Sequence, residues 1–181
     1  MGLSRMPEGS SITSLTGTAN NGEVMTMSRA EREFHRKVAA DCFNRAWDYL
    51  DMTTRGPDSE REMLLLAHAS RYHWGLVGSP KNKAVGDWQI SRIYAALGQA
   101  ELALLFAKCS LAVSERNGLA GTIPSGYEGV ARAFATAKDP EQAKKYLAKA
   151  RNKLGQLPLK SEDREVYVAQ IDDTQRLIDR L

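Results

Sequence analysis

Residues 90–106 of the chain read ISRIYAALGQAELALLF, and residues 130–146 read VARAFATAKDPEQAKKY. At a shift of 40 positions the two stretches agree in kind, because apolar residues meet apolar residues, aromatics meet aromatics, and arginine and alanine recur. The matched residues are Ile90, Arg92, Tyr94, Ala95, Ala103 and Phe106, and then Val130, Arg132, Phe134, Ala135, Ala143 and Tyr146. A fixed period of this length is typical of one helical hairpin that is used repeatedly and stacked to share a core. The repeat therefore predicts an all-α fold of stacked hairpins.

The composition of the chain is that of one ordinary globular domain. It has 181 residues, 43% of them hydrophobic and 26% charged, with a formal net charge of +3. This charge is far from that of a dedicated nucleic-acid-binding protein, and no apolar run is long enough to span a membrane. No secretory signal is visible in the N-terminal residues, and the two cysteines stand among apolar neighbours. We therefore expect a cytoplasmic protein in which both thiols are reduced and lie in the core.

The chain divides into an N-terminal tail, residues 1–27, and a single helical domain, residues 28–181. The tail is rich in Ser, Thr, Gly and Asn and has almost no periodic apolar pattern. A capping box of Ser28 and Glu31 then begins the first of seven helical segments. These segments predict about three helical hairpins and a C-terminal helix that covers the open end of the core. The run 63–67, MLLLA, is apolar nearly all round, so we expect the second helix to be the most buried.

Segments 90–103 and 130–143 resemble the tetratricopeptide repeat. That family places a small residue, then an aromatic three positions on, in the first helix of each hairpin, and an alanine where the second helix crosses the first. The corresponding residues are Ser91, Tyr94 and Ala103 in one segment and Ala131, Phe134 and Ala143 in the other. Small side chains let the helices approach, although the period of 40 exceeds the family's period of about 34 residues. The stretch 68–74, HASRYHW, is also similar to small bacterial repeat proteins of unassigned activity.

The resemblance implies a tetratricopeptide-type superhelix whose concave groove, lined by the first helix of each hairpin, binds a protein or peptide. Mapped onto this chain, the groove receives Trp88, Arg92, Ala95, Ala96, Glu128, Arg132 and Thr136. Two equivalent arginines beside a tryptophan suit a carboxylate, such as a peptide C-terminus or an acidic side chain. Alternatively, each arginine pairs with an acid of its own chain, for which Asp87 and Glu128 are the candidates. The expected function is that of a non-enzymatic adaptor or scaffold, and a homodimer that buries the groove is a variant of it.

The histidines raise a second hypothesis, a small-molecule-sensing or enzymatic pocket between the second and third helices near His73 and Trp88. His68 and His73 are separated by about 140° around a helix axis, so they do not converge on one metal ion. Packed histidines, with Trp74 in the core, explain these residues more simply. We find no Gly-rich phosphate loop and no nucleophile–base motif in the sequence, and we expect neither a metal nor a cofactor.

A basic face on the sixth helix raises a third hypothesis, nucleic-acid binding. Lys145, Lys149 and Lys153 stand four positions apart, on one side of a helix, where lysines can meet phosphates. No RNA-binding motif or DNA-reading helix accompanies them, which argues against a nucleic-acid partner. The simpler explanation is a solvated face that acids of the last helix balance. These acids are Glu162, Asp163, Glu165, Asp172 and Asp173.

Overall fold

The computed structural model describes residues 27–181, so the expected tail lies, apart from its last residue, outside the described part of the chain. Seven α-helices and no strand make up residues 27–181, which confirms the prediction of an all-α fold. The helices are α1 (Arg29–Leu50), α2 (Pro57–Val77), α3 (Pro80–Ala96), α4 (Ala100–Arg116), α5 (Ile123–Thr136), α6 (Pro140–Gly155) and α7 (Ser161–Ile178). None of these seven combines the length and the apolar character that crossing a membrane requires.

Capping residues and prolines set the beginnings of the helices. Ser28 and Glu31 form the predicted capping box at α1, because each side chain accepts a hydrogen bond from the backbone N–H of the other residue. Ser79 and Asn82 form an equivalent box at α3, around Pro80. Proline is favoured at the first position of a helix since its missing N–H would have no partner there.

The helices pack as three hairpins and a terminal helix. α1 packs on α2, α3 on α4 and α5 on α6, and each even-numbered helix also packs on the odd-numbered helix that follows it. The odd-numbered helices form a row, in which α1 contacts α3, α3 contacts α5, and α5 contacts α7. Among the described residues the backbones of α1 and α7 do not come close to each other, so the two ends of the row stay apart.

The 40-residue sequence repeat corresponds to repeated contacts. In the α3–α4 hairpin the rings of Tyr94 and Phe106 stack with their centroids 5.7 Å apart, and in the α5–α6 hairpin the rings of Phe134 and Tyr146 stack at 5.5 Å. The crossing alanines of both hairpins are fully buried. Each aromatic pair therefore fills the space beside a close helix crossing that the small alanine permits.

The turns inside these two hairpins repeat as well. Gly98 follows α3 with a φ of 72°, and Lys138 follows α5 at the equivalent position with a φ of 60°. In both turns the next residue donates its backbone N–H to the carbonyl of the aromatic residue five positions earlier. A left-handed residue commonly ends a helix, but a residue with a Cβ atom adopts this conformation at a steric cost. Lys138 therefore carries backbone strain that Gly98 avoids.

A pair of glycines 40 positions apart extends the repeat back into α2. Gly86 of α3 lies against Arg71 of α2, and Gly126 of α5 lies against Leu111 of α4, with both members shifted by 40 positions. A Cβ atom on Gly86 would stand 2.9 Å from the Cδ of Arg71, and one on Gly126 would stand 3.0 Å from the Cα of Leu111. These glycines let each odd-numbered helix approach the even-numbered helix before it. The repeated unit is therefore longer than one hairpin, because it includes the contact with the preceding helix.

Two expectations about burial are wrong. More than half of the residues of α3 and of α5 are buried, whereas Leu65, within the apolar run of α2, is 60% exposed. The reason is the number of neighbours, since α3 and α5 each pack on four other helices and α2 packs on two. Of the cysteines, Cys42 is half-buried against the core of the first hairpin, but Cys109 is exposed on α4.

Candidate functional site

A cavity of about 620 Å³ opens along the row of odd-numbered helices. The C-terminal end of α1 and one face of α7 form its walls, and α3 and α5 form its floor. The main lining residues are Trp47, Leu50, Asp51 and Arg55 near α1, Arg92, Ala96 and Arg132 on the floor, and Glu162, Glu165, Val166, Ala169 and Asp173 on α7. We name this cavity the odd-helix cleft. Its volume lies within the range of ligand sites, about 300–1,000 Å³.

A buried carboxylate, Glu128 of α5, lies beside the floor of the cleft and is only 1% exposed. It accepts hydrogen bonds from Arg92 at 3.1 Å and from the Nε of Arg132 at 3.0 Å. It also accepts from the indole Nε1 of Trp88 at 2.9 Å and from the hydroxyl of Thr174. Because a buried ion costs several kcal/mol unless charges and hydrogen bonds compensate it, Glu128 depends on all four partners.

Asp173 of α7 completes this network from the wall of the cleft. One of its oxygens accepts hydrogen bonds from Arg92 at 3.2 Å and from Arg132 at 2.6 Å, and the other oxygen lies 3.4 Å from Arg176. The side chain of Asp173 is 42% exposed, whereas those of Arg92 and Arg132 are 8% and 9% exposed. The network therefore ties α7 to α3 and α5 and presents one part-exposed carboxylate to the cleft.

The network keeps its members charged at neutral pH. Burial raises the pKa of Glu128, but the guanidinium groups of Arg92 and Arg132 outweigh burial and hold that pKa below its usual value. In Asp173 the effect of burial is likewise outweighed, first by Arg132, so its pKa is also lowered. Burial and the neighbouring charge of Arg132 lower the pKa of Arg92 to about 10, which leaves its guanidinium protonated at neutral pH. Neither carboxyl group is therefore a proton donor under those conditions.

Arg92 also contacts two indole rings. Its guanidinium carbon lies 5.3 Å from the ring centroid of Trp88 and 5.9 Å from that of Trp47, within the range of a cation–π interaction. The two rings pack against each other with centroids 5.8 Å apart. The Nε of Arg92 and the indole Nε1 of Trp47 are nevertheless buried donors without an acceptor in the described part of the chain. Both donors belong to side chains that line the cleft.

The structure brings together four of the five residues predicted for the groove. Trp88, Arg92, Glu128 and Arg132 form one network, of which only the two arginines line the cleft. Thr136 is not part of it, because its hydroxyl donates to the backbone carbonyl of Arg132 within α5.

The arginines pair with acids of their own chain, which is the second of the two alternatives. Arg92 and Arg132 both bind Glu128. Asp87, the other candidate, pairs instead with Arg71 of α2, with the Nε and Oδ1 atoms 2.6 Å apart. Both guanidinium groups are therefore ion-paired within the chain, and these ion pairs link α3, α5 and α7.

The residues predicted for the alternative pocket make separate contacts and do not line one common space. His73 lies beside His35 of α1 with their Nδ1 atoms 2.6 Å apart, and the Nε2 of His68 lies 3.0 Å from the phenol oxygen of Tyr94. Trp74 is buried, and none of the three predicted pocket residues lines the cleft. The tryptophan of α3 that was expected to border this pocket belongs to the buried network instead.

The three lysines of the basic face are exposed along α6. The ammonium group of Lys149 lies 4.7 Å from the ring centroid of Tyr146 and 5.7 Å from that of Tyr127. Within residues 27–181 the three lysines form no ion pair with an acid of α7. The acids of α7 therefore do not neutralise these lysines by direct contact, although this was expected. The lysines stand apart from the cleft.

Sequence reasoning missed Asp173 and Trp47. Asp173 belongs to a polar helix rich in acids, and Trp47 belongs to the apolar stripe of α1, so the composition around them gives no sign of a site. Asp173 meets Arg92 across 81 positions of the chain, a contact that only the stacking of the helices creates. The order of the helices could have indicated this contact, because α7 follows α5 as the next helix of the row and therefore packs beside it.

Residues 27–181 hold no group of three His, Cys, Asp or Glu side chains placed to bind a metal ion. No protein-family model matches the chain, and comparison with curated proteins and with solved structures finds no significant similarity. The resemblance to the tetratricopeptide repeat therefore rests on the repeated residues alone, and the function has to be argued from the geometry of the cleft.

Proposed function

We propose that this chain is a non-enzymatic binding module of the tetratricopeptide type that holds a segment of a partner protein in the odd-helix cleft. The observation that supports the proposal is the cleft itself, an open space of about 620 Å³ between α1 and α7. The stacked hairpins favour the same conclusion, since the first helices of the hairpins stand side by side and line one surface. Stacked helical repeats use such a surface for binding.

The floor of the cleft is rigid before any partner arrives. Arg92 and Arg132 are fixed by Glu128 below them and by Asp173 from α7. A binding site that is already ordered loses less conformational entropy when it is filled, which leaves more of the contact energy for affinity. Between the charged groups, Leu50, Ala96, Val166 and Ala169 offer apolar surface to the side chains of a bound segment.

The lining of the cleft favours binding over catalysis. Within the described residues it contains no Ser, Thr, Cys, His, Lys or Tyr, so its side chains of the kinds that act as nucleophiles or proton carriers are carboxylates alone: Asp51, Glu162, Glu165 and Asp173. Its carboxylate in the network, Asp173, has a lowered pKa and stays charged. The groups that remain are suited to hydrogen bonds and ion pairs with a ligand.

A selection from a phage-displayed library of random short peptides tests the proposal. The full chain serves as bait beside the Ala96→Trp variant, which fills the cleft with an indole ring. Ala148→Trp is the matched control, because Ala148 is also an exposed alanine on a helix but lies outside the cleft. We expect to select peptides that bind the wild type and the control but do not bind the Ala96→Trp variant. Equal binding to all three proteins would refute the cleft as the binding site.

A second copy of the chain is the other occupant to test. Size-exclusion chromatography with light scattering gives the molar mass of the wild type and of the Ala96→Trp variant. A dimer that the substitution dissociates would identify the partner as a second copy, and a dimer that persists would place the interface elsewhere.

A further inference from the structure

The arginines of the odd-helix cleft already have partners within the protein, although the Nε atoms of Arg55 and Arg92 have no acceptor among the described residues. Arg92 and Arg132 share Glu128 and Asp173, and Arg176 lies against the second oxygen of Asp173. Arg55 donates hydrogen bonds to the carbonyls that end α1, at 2.9 Å for the carbonyl of Leu50, which is where a helix has its partial negative charge. An acidic ligand would have to compete with these partners.

Three carboxylates that line the cleft have no such partner. Asp51, Glu162 and Glu165 line its two walls, and among residues 27–181 none of them forms an ion pair or a side-chain hydrogen bond. Helix electrostatics accounts for Glu162, which lies in the first turn of α7, where a negative charge is favourable. It does not account for Asp51, the C-cap of α1, since a negative charge at that end of a helix is unfavourable. Within the described part of the chain, carboxylates without a direct ion-pair partner therefore stand on both walls of the cleft.

The wall formed by α1 supplies a second, independent sign of a ligand. The indole Nε1 of Trp47 has no acceptor, although the side chain is only 6% exposed and lines the cleft. Because Nε1 itself is covered by protein atoms, a ligand oxygen reaches this donor only when neighbouring side chains shift, and it then recovers the free energy that an unpaired donor costs. A peptide offers such an oxygen at every residue, in its backbone carbonyls.

We propose that the segment held in the cleft is basic: its lysine or arginine side chains pair with Asp51 on one wall and with Glu162 and Glu165 on the other, while a backbone carbonyl of the same segment accepts from Trp47. This inference rests on the proposed function and names the chemistry of the partner. It differs from the expectation of a carboxylate ligand, because the guanidinium groups that would bind a carboxylate are paired within the chain.

Fluorescence anisotropy with three pools of labelled random peptides tests the inference. One pool is enriched in Lys and Arg, one in Asp and Glu, and one contains no charged residue; each is titrated with the full chain at low salt. We expect the basic pool to bind at least about fivefold more tightly than the uncharged pool, with a preference that declines as salt is added.

Two variants of α7 form the matched comparison. Glu162→Gln/Glu165→Gln removes two charges from the wall of the cleft, and Asp163→Asn/Asp172→Asn removes two charges from the same helix outside the cleft. Both variants change the net charge equally. We expect only the first to reduce the preference for the basic pool, to less than about twofold, and Asp51→Asn to reduce it in part.

Each other outcome overturns the inference. If the uncharged or the acidic pool binds as tightly as the basic pool, a partner is still bound and only its basic character is refuted. If both α7 variants act equally, the preference comes from net charge and not from the cleft. If spermine displaces the basic pool as well as an equal concentration of unlabelled basic peptide does, charge alone fills the cleft. If no pool binds, the proposed function falls together with the inference.

Discussion

The substitution Glu128→Gln keeps the shape of the side chain and removes its charge. Glu128 is 1% exposed and accepts hydrogen bonds from two arginines, one tryptophan and one threonine. Glutamine keeps one acceptor oxygen, but its NH2 group would then face the indole N–H of Trp88, from which the second oxygen now accepts a hydrogen bond. It also leaves two nearly buried guanidinium groups with only the part-exposed Asp173 to compensate them. Breaking a buried ion pair in this way costs about 3–5 kcal/mol, a large share of the roughly 5–15 kcal/mol that stabilises a domain.

Urea unfolding at neutral pH, followed by circular dichroism, measures the loss. With a slope of about 2 kcal/mol per M, the midpoint for Glu128→Gln should fall by about 1.5–2.5 M. Asp172→Asn is the control, because this exposed acid of α7 should change the free energy of unfolding by less than about 0.5 kcal/mol.

The double variant Glu128→Gln/Arg92→Met tests the reason for the loss. Arg92→Met removes a cation that Glu128→Gln leaves unpaired, so the double variant should be less destabilised than the sum of the two single variants. Strict additivity, or a loss below about 1 kcal/mol for Glu128→Gln alone, would refute the conclusion that charge compensation holds the network together.

Three further predictions concern the repeat and the pH dependence. Gly126→Ala should lower the free energy of unfolding by about 1–3 kcal/mol, since its Cβ atom would press on the backbone of α4. Gly155→Ala should raise the free energy of unfolding slightly, because nothing lies within 4 Å of the added Cβ atom. Equal melting temperatures for the two variants would contradict this prediction. Lys138→Gly should stabilise by about 0.5–1 kcal/mol because it relieves a φ of 60°, and a loss of stability would show that the side chain of Lys138 matters more. The pKa values of Glu128 and Asp173 are lowered by folding, so the stability they contribute is present above their unfolded values of 4.5 and 3.8 and is lost as the pH falls through the lower folded values. The urea midpoint should therefore decline on acidification below about pH 4, and less so for Glu128→Gln.

The helical class and the pairing of the helices could be predicted because they depend on local signals. Capping residues, prolines and the 40-residue period lie within a few turns of the structures that they specify. The burial of each helix was harder to predict than its pairing, because burial depends on how many other helices surround it. Leu65 is apolar but stands on a helix with two neighbours, and so it remains exposed.

Only the floor of the cleft, and not its walls, could be predicted from the sequence. Arg92 and Arg132 are visible in the sequence as equivalent positions of the repeat, and Glu128 could be named as a partner because it lies four positions from Arg132. Asp173 and Trp47 come from helices outside the clear repeat, and their contacts join positions that only the stacking brings together. A periodic sequence thus identifies the floor of a cleft more readily than its walls.

The network around Glu128 also bears on the order in which the chain is made. Synthesis proceeds from the N-terminus, so α3 and α5 are made before Asp173 and Thr174 have been added. At that stage the buried part of the network holds two guanidinium groups against a single carboxylate, Glu128. The arrival of α7 supplies the second carboxylate, Asp173, and the hydroxyl of Thr174. Until α7 packs against α3 and α5, the guanidinium groups of Arg92 and Arg132 therefore outnumber the carboxylates that compensate them.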